Sequence, residues 1–369
     1  MLTAIRSQLP PWPVTLPPLA ILVLILTWGR TLPGVLVVLV ALLLAGAVLA
    51  AVHHAEVVAL RVGEPFGSLV LAVAVTVIEV ALIVTLMVGG GPGTASLARD
   101  TVFAAVMITC NGILGLCLLL AALRSHVAEF NPEGTGAAFA AVITIAALSL
   151  VLPTFTTSEP GPQFSGPQLA FAAVASLGLY ALFVTMQTHR HRDYFLPVPP
   201  SGADRPPVTA DEHAEPPSKR ITLVSLALLV LALIAVVGDA KTVSPAIEST
   251  VARLGLPHAV VGVIIALLVL SPETLAAVRN ARRDRVQISL NLALGSAMAS
   301  IGLTIPVIAI ASIWLEGPLL LGLGGTQLVL LALTAVTGVL TLMPGRATLL
   351  HGAVHLALLA AFLFLAASP

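Results

Sequence analysis

A chain of 369 residues that is 58% hydrophobic and only 9% charged cannot cover a water-facing surface, since a soluble domain carries about 25% charged residues. Its 17 basic residues balance its 17 acidic ones, so nothing in the charge favours capture of nucleic acid or another polyanion. With a mean hydropathy of +1.06, most of this chain has lipid for its solvent.

The opening residues, MLTAIRSQLPPWPVTLPP, lack the basic lead, short apolar core and small-residue cleavage site of a secretory signal, and read as uncleaved. A span needs about 20 mostly apolar residues to cross about 30 Å of hydrocarbon. Eleven runs meet that need, in order 15–29, 32–52, 66–88, 100–123, 136–153, 167–186, 220–238, 258–280, 286–313, 322–343 and 347–367. Cys110 and Cys117 lie inside the fourth run and read as small core residues, fitting neither a disulfide framework nor a metal motif. Between the sixth and seventh runs, 187–219 is polar and proline-rich, with the acidic patch Asp211, Glu212 and Glu215, and reads as a linker. The sequence therefore predicts an all-α membrane protein: an N-terminal segment with one extra helix (1–30), a five-helix unit (31–186), a cytoplasmic linker (187–219) and a second five-helix unit (220–369).

Topology follows from the basic residues. If the helices alternate, one side collects Arg6, Arg61, Arg124, Arg190, Arg192, Arg205, Lys219, Arg220, Arg279, Arg282, Arg283, Arg285 and Arg346, 13 of the 17. The other side holds Arg30, Arg99, Lys241 and Arg253. This split predicts a multi-pass protein of the cell inner membrane with its N-terminus cytoplasmic and its C-terminus outside.

The two halves repeat one another. Glu56, Arg61, Gly63 and Pro65 form E-x4-R-x-G-x-P, and Glu248, Arg253, Gly255 and Pro257 repeat it at identical offsets. An apolar helix with a lone glutamate follows each, Glu79 in the first and Glu273 in the second. The next helix carries N-x3-G, at Asn111/Gly115 and Asn291/Gly295. With the predicted topology the two glutamate helices run in opposite directions, so the five-helix units are inverted copies. That plan lets two related halves exchange inward-open and outward-open shapes around one midplane site.

A carboxylate at the centre of a span costs about 2.5–3.5 kcal/mol even on insertion scales, so such residues usually face a polar cavity. Glu79 has no basic partner in its own helix. Glu273 follows Ser271 and Pro272, and a proline displaces the carbonyl four residues back, so a kink is expected there beside the carboxylate. Two glutamates from inverted halves suit a divalent cation, since Ca²⁺ takes six to eight oxygens and two carboxylates balance its charge. Thr76, Ser271, Asn111, Asn291 and Ser296 are the candidate neutral oxygens, each of which could equally make an interhelical hydrogen bond. Burial raises a glutamate's affinity for protons and a bound cation lowers it, so protons and metal compete for the same oxygens. A protein that switches only when the site is protonated or filled is an antiporter. No resident cofactor is implied, because Ca²⁺ or Na⁺ and H⁺ are cargo.

Glu56 and Glu248 lie near helix ends, where they could line the access pathways or pair with Arg61 and Arg253. His53, His54, His351 and His355 read as interface residues. Asp100, Asp239 and Asp284 all fall at predicted helix ends. A channel would need a filter-like motif, and an intramembrane enzyme a paired nucleophile and base; the sequence offers neither.

The stretches GEPFGSLVLAVAVTVIEVALIVTLM (63–87) and SPETLAAVRNARRDRVQISLNLALGSAMASIGLTIPV (271–307) resemble the two alpha-repeat regions of the cation/calcium exchanger superfamily, in its bacterial ChaA-like calcium (sodium)/proton antiporter branch. The resemblance implies that Glu79 and Glu273 coordinate the ion and that Gly295 and Ser296 occupy the Gly-Ser step of the second half. Two departures stand out. The Gly-Asn before each glutamate is Val75-Thr76 and Val269-Leu270 here, and the histidine after the second glutamate is Thr274. Fewer neutral oxygens remain, which leaves Ca²⁺, Na⁺ and K⁺ all open as the cation.

Overall fold

A computed structural model of the chain describes residues 10–30, 32–63, 66–89, 94–197, 217–315 and 317–369. Away from water every backbone N–H and C=O must be satisfied within the segment, so the apolar runs form helices. They are α1 (Pro11–Thr27), α2 (Gly34–Val62), α3 (Phe66–Gly89), α4 (Thr94–Ser125), α5 (Pro132–Phe155), α6 (Gly166–Arg190), α7 (Lys219–Arg253), α8 (Ala259–Val269), α9 (Ser271–Ala281), α10 (Val286–Ala311), α11 (Gly325–Leu342) and α12 (Leu349–Ala367). Among the described residues nine helices are long and apolar enough to cross a membrane, α8 and α9 together make a tenth, bent span, and α1 is a shorter apolar helix. The eleven predicted runs are thus recovered.

Three boundaries differ most from expectation. The second run was expected to end at 52, but α2 continues to Val62, so Glu56 lies inside the helix. The seventh run was expected to end at 238, but α7 continues to Arg253, so Asp239 lies inside a 35-residue helix rather than at an end. The eighth run is split by a 53° bend between Val269 and Ser271, where Pro272 lacks the N–H that a continuous helix needs. The all-helical expectation also missed a small antiparallel ladder, β1 (Val127–Glu129) with β2 (Arg346–Thr348). The acidic patch of the linker falls outside the described residues.

The repeat motif now has a physical basis. Gly63 and Gly255, which follow the last turns of α2 and α7, take φ values of +74° and +67°. A glycine reaches that left-handed region without strain, and Arg61 and Arg253 sit in the last turns where cations complement the helix dipole. The motif ends one helix and frees the chain to enter the next.

The chain divides into two compact units, each drawn from both halves of the sequence: 1–94 with 213–261, and 95–212 with 262–369. In the first, α7 packs against α1, α2 and α3. α2 and α7 run antiparallel, since Val57 packs on Ile221 and the Arg61 guanidinium donates to Pro217 O at 3.3 Å. At the other end the Lys241 ammonium lies 5.4 Å above the Trp28 ring.

In the second unit, one end gathers the β1–β2 ladder with Arg124, whose guanidinium donates to Arg282 O and pairs with Asp284 at 3.5 Å. The opposite end is closed by backbone bonds from Leu320 N to Ala95 O and from Gly322 N to Pro162 O. Arg99, at that end, pairs with Asp100 at 2.8 Å and donates to Gly322 O. The loops therefore alternate along this unit as the charge count assumed.

Candidate functional site

Glu79 sits in the fourteenth position of α3 and is its sole ionisable residue. It is 2% exposed, on a helix face whose neighbours Val75, Ile78, Ile83 and Leu86 are also buried. One turn earlier, Thr76 is buried and its hydroxyl has no hydrogen-bond partner. A threonine in an apolar helix ordinarily donates to the carbonyl four residues back, as Thr109 does to Ala105 and Thr334 to Leu330. Thr76 leaves its hydroxyl uncommitted on the turn that carries Glu79.

Glu273 is 7% exposed in the first turn of α9, directly after the bend. A carboxylate there is favoured by the amide dipoles at the start of a helix. The Ser271 hydroxyl donates to Leu268 O at 2.8 Å and the Thr274 hydroxyl to Leu270 O at 2.7 Å. Two hydroxyls thus satisfy carbonyls at the break, and each keeps its oxygen lone pairs as an acceptor. α9 packs against α10 and against the C-terminal part of α4.

The asparagines have other duties. Asn111 lies on a π-helical turn of α4, Ile108–Ile113, and is fully buried. Its amide nitrogen donates to the Thr334 hydroxyl at 2.9 Å on α11, and its oxygen lies 3.0 Å from His355 Nδ1 on α12. His355 reaches the Thr341 hydroxyl through Nε2 at 3.2 Å. The wider π turn re-aims Asn111 at two neighbouring helices, and the network ties three helices together. On α10, Asn291 accepts from Gln287 Nε2 at 2.8 Å and donates to Phe195 O at 2.6 Å, while Gln287 accepts from Asn131 N at 2.7 Å. Both amides are engaged in joining segments. Ser296 is half-buried one helical step beyond Gly295, around which a built Cβ would meet nothing within 4 Å.

Glu56 is exposed on α2, and Glu248 is half-buried on α7. Glu248 accepts from the Ser244 hydroxyl at 3.0 Å, whereas Arg253 bonds Ser249 O and the Thr250 hydroxyl, so the expected Glu248–Arg253 alternative gives way to bonds within a single turn. Sequence reasoning placed His355 at an interface with its neighbour His351; His355 is instead 0% exposed in the Asn111 network, and His351 caps α12 through Thr348. Thr334 and Thr341 were passed over because single polar residues in apolar helices carry no periodic signal. No cluster of three or more His, Cys, Asp or Glu able to hold a metal occurs among the described residues.

The sequence profile of the sodium/calcium exchanger protein family matches residues 17–189 and 224–367. Over 366 residues the chain is 47% identical to y4hA of Sinorhizobium fredii (strain NBRC 101917 / NGR234), named as a proposed ionic transporter, with 98% of each chain covered. It is 33% identical over 350 residues to the sodium-potassium/proton antiporter ChaA of Escherichia coli (strain K12), covering 94% of this chain and 93% of that one. Among solved structures, the H⁺/Ca²⁺ exchanger CAX superposes with a TM-score of 0.69 over 98% of this chain and 87% of that one, at 17% identity, which is a likeness of fold.

Proposed function

The chain belongs to the sodium/calcium exchanger protein family, and from that membership we propose that it is a secondary antiporter exchanging a cation for protons at Glu79 and Glu273. One observation carries the assignment of residues: Glu79 is the lone ionisable group of an apolar helix, 2% exposed, beside a threonine hydroxyl that makes no hydrogen bond. A carboxylate in that setting is costly unless it holds a proton or a cation. An empty, charged site is too costly to carry through an apolar barrier, so the protein switches only when protonated or filled. That rule couples the two fluxes.

For Ca²⁺ the two glutamates supply the balancing charge, with Thr76, Ser271 and Ser296 as neutral oxygens and a nominal exchange of about two protons per ion. A second reading, Na⁺ or K⁺ against protons, rests on Asn111 and Asn291. Their amides are engaged with Thr334, His355, Gln287 and Phe195, which leaves fewer oxygens than Ca²⁺ prefers. The Escherichia coli relative named as a sodium-potassium/proton antiporter is consistent with it. On the charge rule the loops that collect 13 of the 17 basic residues face the cytoplasm, with the N-terminus inside and the C-terminus outside. The halves 31–186 and 220–369 then exchange roles between inward-open and outward-open states.

The deciding experiment is uptake of ⁴⁵Ca²⁺, ²²Na⁺ and ⁸⁶Rb⁺ into everted vesicles under an imposed ΔpH. Uphill uptake of one ion, abolished when the gradient is collapsed, establishes antiport and names the cation. Downhill flux alone identifies a channel and sinks the proposal.

Thr76→Val offers a sharper local check, because valine keeps the shape and removes the hydroxyl. Loss of a buried hydroxyl without a partner leaves thermal stability unchanged or raises it by up to about 1 kcal/mol. The apparent cation affinity falls about 2- to 10-fold, the worth of one coordinating oxygen. A loss of stability with unchanged transport makes Thr76 a packing residue.

A further inference from the structure

Asp239 is a second buried carboxyl of the first unit, and the exchange reading just given does not use it. It is 0% exposed in the interior of α7, and neither of its oxygens has a hydrogen-bond partner. It shares a helix face with the buried Ser225, Ala232, Ala235, Val236 and Val243.

The charges on the helices packed against α7 are few. α1 has no titratable residue between Pro11 and Thr27. Those of α2 (His53, His54, Glu56 and Arg61) cluster around Val57, which packs on Ile221. From Ile221 to Asp239 is 18 residues, about 27 Å along the helix. α3 brings Glu79 alone, which is acidic. On α7 itself Lys219, Arg220, Glu248 and Arg253 are at least two turns away. Lys241, two residues on, points to another face and lies above Trp28. Among the described residues no basic side chain bonds Asp239, Lys241 and Arg30 lying instead along the cleft beyond it, and an ionised carboxylate so placed is costly.

One turn beyond Asp239 a cleft of about 230 Å³ is lined by Thr27, Trp28, Arg30, Lys241, Thr242 and Pro245. Pro245 lacks the N–H that would bond Lys241 O, so α7 is weakest along this cleft, in the turn just beyond the acid. The seal is made by α1: a Cβ built on Gly238 would lie 2.4 Å from Leu24.

We propose that Asp239 is a proton-binding site of the transport cycle, additional to Glu79 and Glu273, holding its proton while α1 and α7 are closed as here and exchanging it with water of the Lys241–Pro245 cleft when α7 bends at Pro245. This rests on the proton-coupled exchange proposed above. The test uses purified full-length protein in liposomes, with ion flux by isotope and proton flux by an internal pH dye recorded together. Asp239→Asn mimics the neutral acid, so it folds and exchanges, but protons moved per cation fall by about one, since a carboxyl binds a single proton. Its rate also loses one inflection with pH, and Asp239→Glu restores both.

An unchanged ratio and pH profile in Asp239→Asn overturns the inference, as does a lower thermal stability with an unchanged ratio. Infrared difference spectra of wild-type protein labelled with [4-¹³C]aspartate serve if the variants do not accumulate. A neutral aspartic acid band at neutral pH is expected, and its absence overturns the inference. If wild type moves no protons with its cation, the exchange reading itself fails, and the infrared band still reports on Asp239.

Discussion

Glu79→Gln and Glu273→Gln are each expected to abolish cation uptake driven by ΔpH, while both variants remain folded in the membrane. Glutamine reproduces the shape and the neutral form of the protonated acid, so packing is preserved and thermal stability stays level or rises. It cannot ionise, and on the exchange proposed for these residues it therefore removes both the exchangeable proton and the charge that would meet the cation. Leaving a buried charge without its counter-charge costs about 3–5 kcal/mol. Spread over affinity, that is more than about 100-fold, which takes the cation out of any accessible concentration range.

The two positions differ in their support. Glu79 lies in mid-helix and is 2% exposed, whereas Glu273 lies in the first turn of α9, where amide dipoles already favour its anion. Glu79→Asp, one methylene shorter, is therefore expected to hurt affinity more than Glu273→Asp, whose bent segment can shift. The measurement is ΔpH-driven isotope uptake at matched protein levels, and normal exchange in both glutamine variants removes these residues from the site.

The second large effect is structural. Gly115→Val is expected to destabilise the protein by about 1–3 kcal/mol or to prevent its accumulation, as overpacking does. A Cβ on Gly115 would lie 2.7 Å from His355 Cβ and 3.1 Å from Gly352 O, and one on Gly352 would lie 2.6 Å from Leu119 N. α4 and α12 thus touch backbone to backbone, and no rotamer change relieves the contact. Forcing them apart also pulls His355 away from Asn111, one turn earlier, and leaves buried polar groups unmatched. The second-half counterpart, Gly295, has nothing within 4 Å of a built Cβ, and Gly295→Ala is expected to change stability by less than about 0.5 kcal/mol. Thermal melts in detergent followed by size-exclusion chromatography compare the two, and equal losses would remove the backbone contact as the cause.

That contrast shows how far the repeat could be read. N-x3-G occurs in both halves, yet Gly115 is a helix contact and Gly295 is open, while Asn111 and Asn291 bond different kinds of partner. Spacing marks kinship between halves, but each half meets different neighbours. Asn111 bonds residues 223 and 244 positions away, separations that no local pattern encodes. Asp239 was misplaced for a related reason. The sequence Gly-Asp-Ala-Lys after an apolar run looks like the water-facing end of a span, but α7 continues because packing against α1, α2 and α3 shields its polar turn.

What the sequence determined on its own was the membrane as solvent, the eleven apolar runs that form the helices, the bend at Pro272 and the lone glutamates Glu79 and Glu273. These follow from hydropathy, proline geometry and the cost of charge in hydrocarbon, all local properties of the chain. Tertiary structure alone decided which polar residues are engaged in joining helices and which keep an uncommitted oxygen. Thr76 and Asn111 are both polar residues in apolar helices, and only the arrival of α11 and α12 beside Asn111 separates their fates.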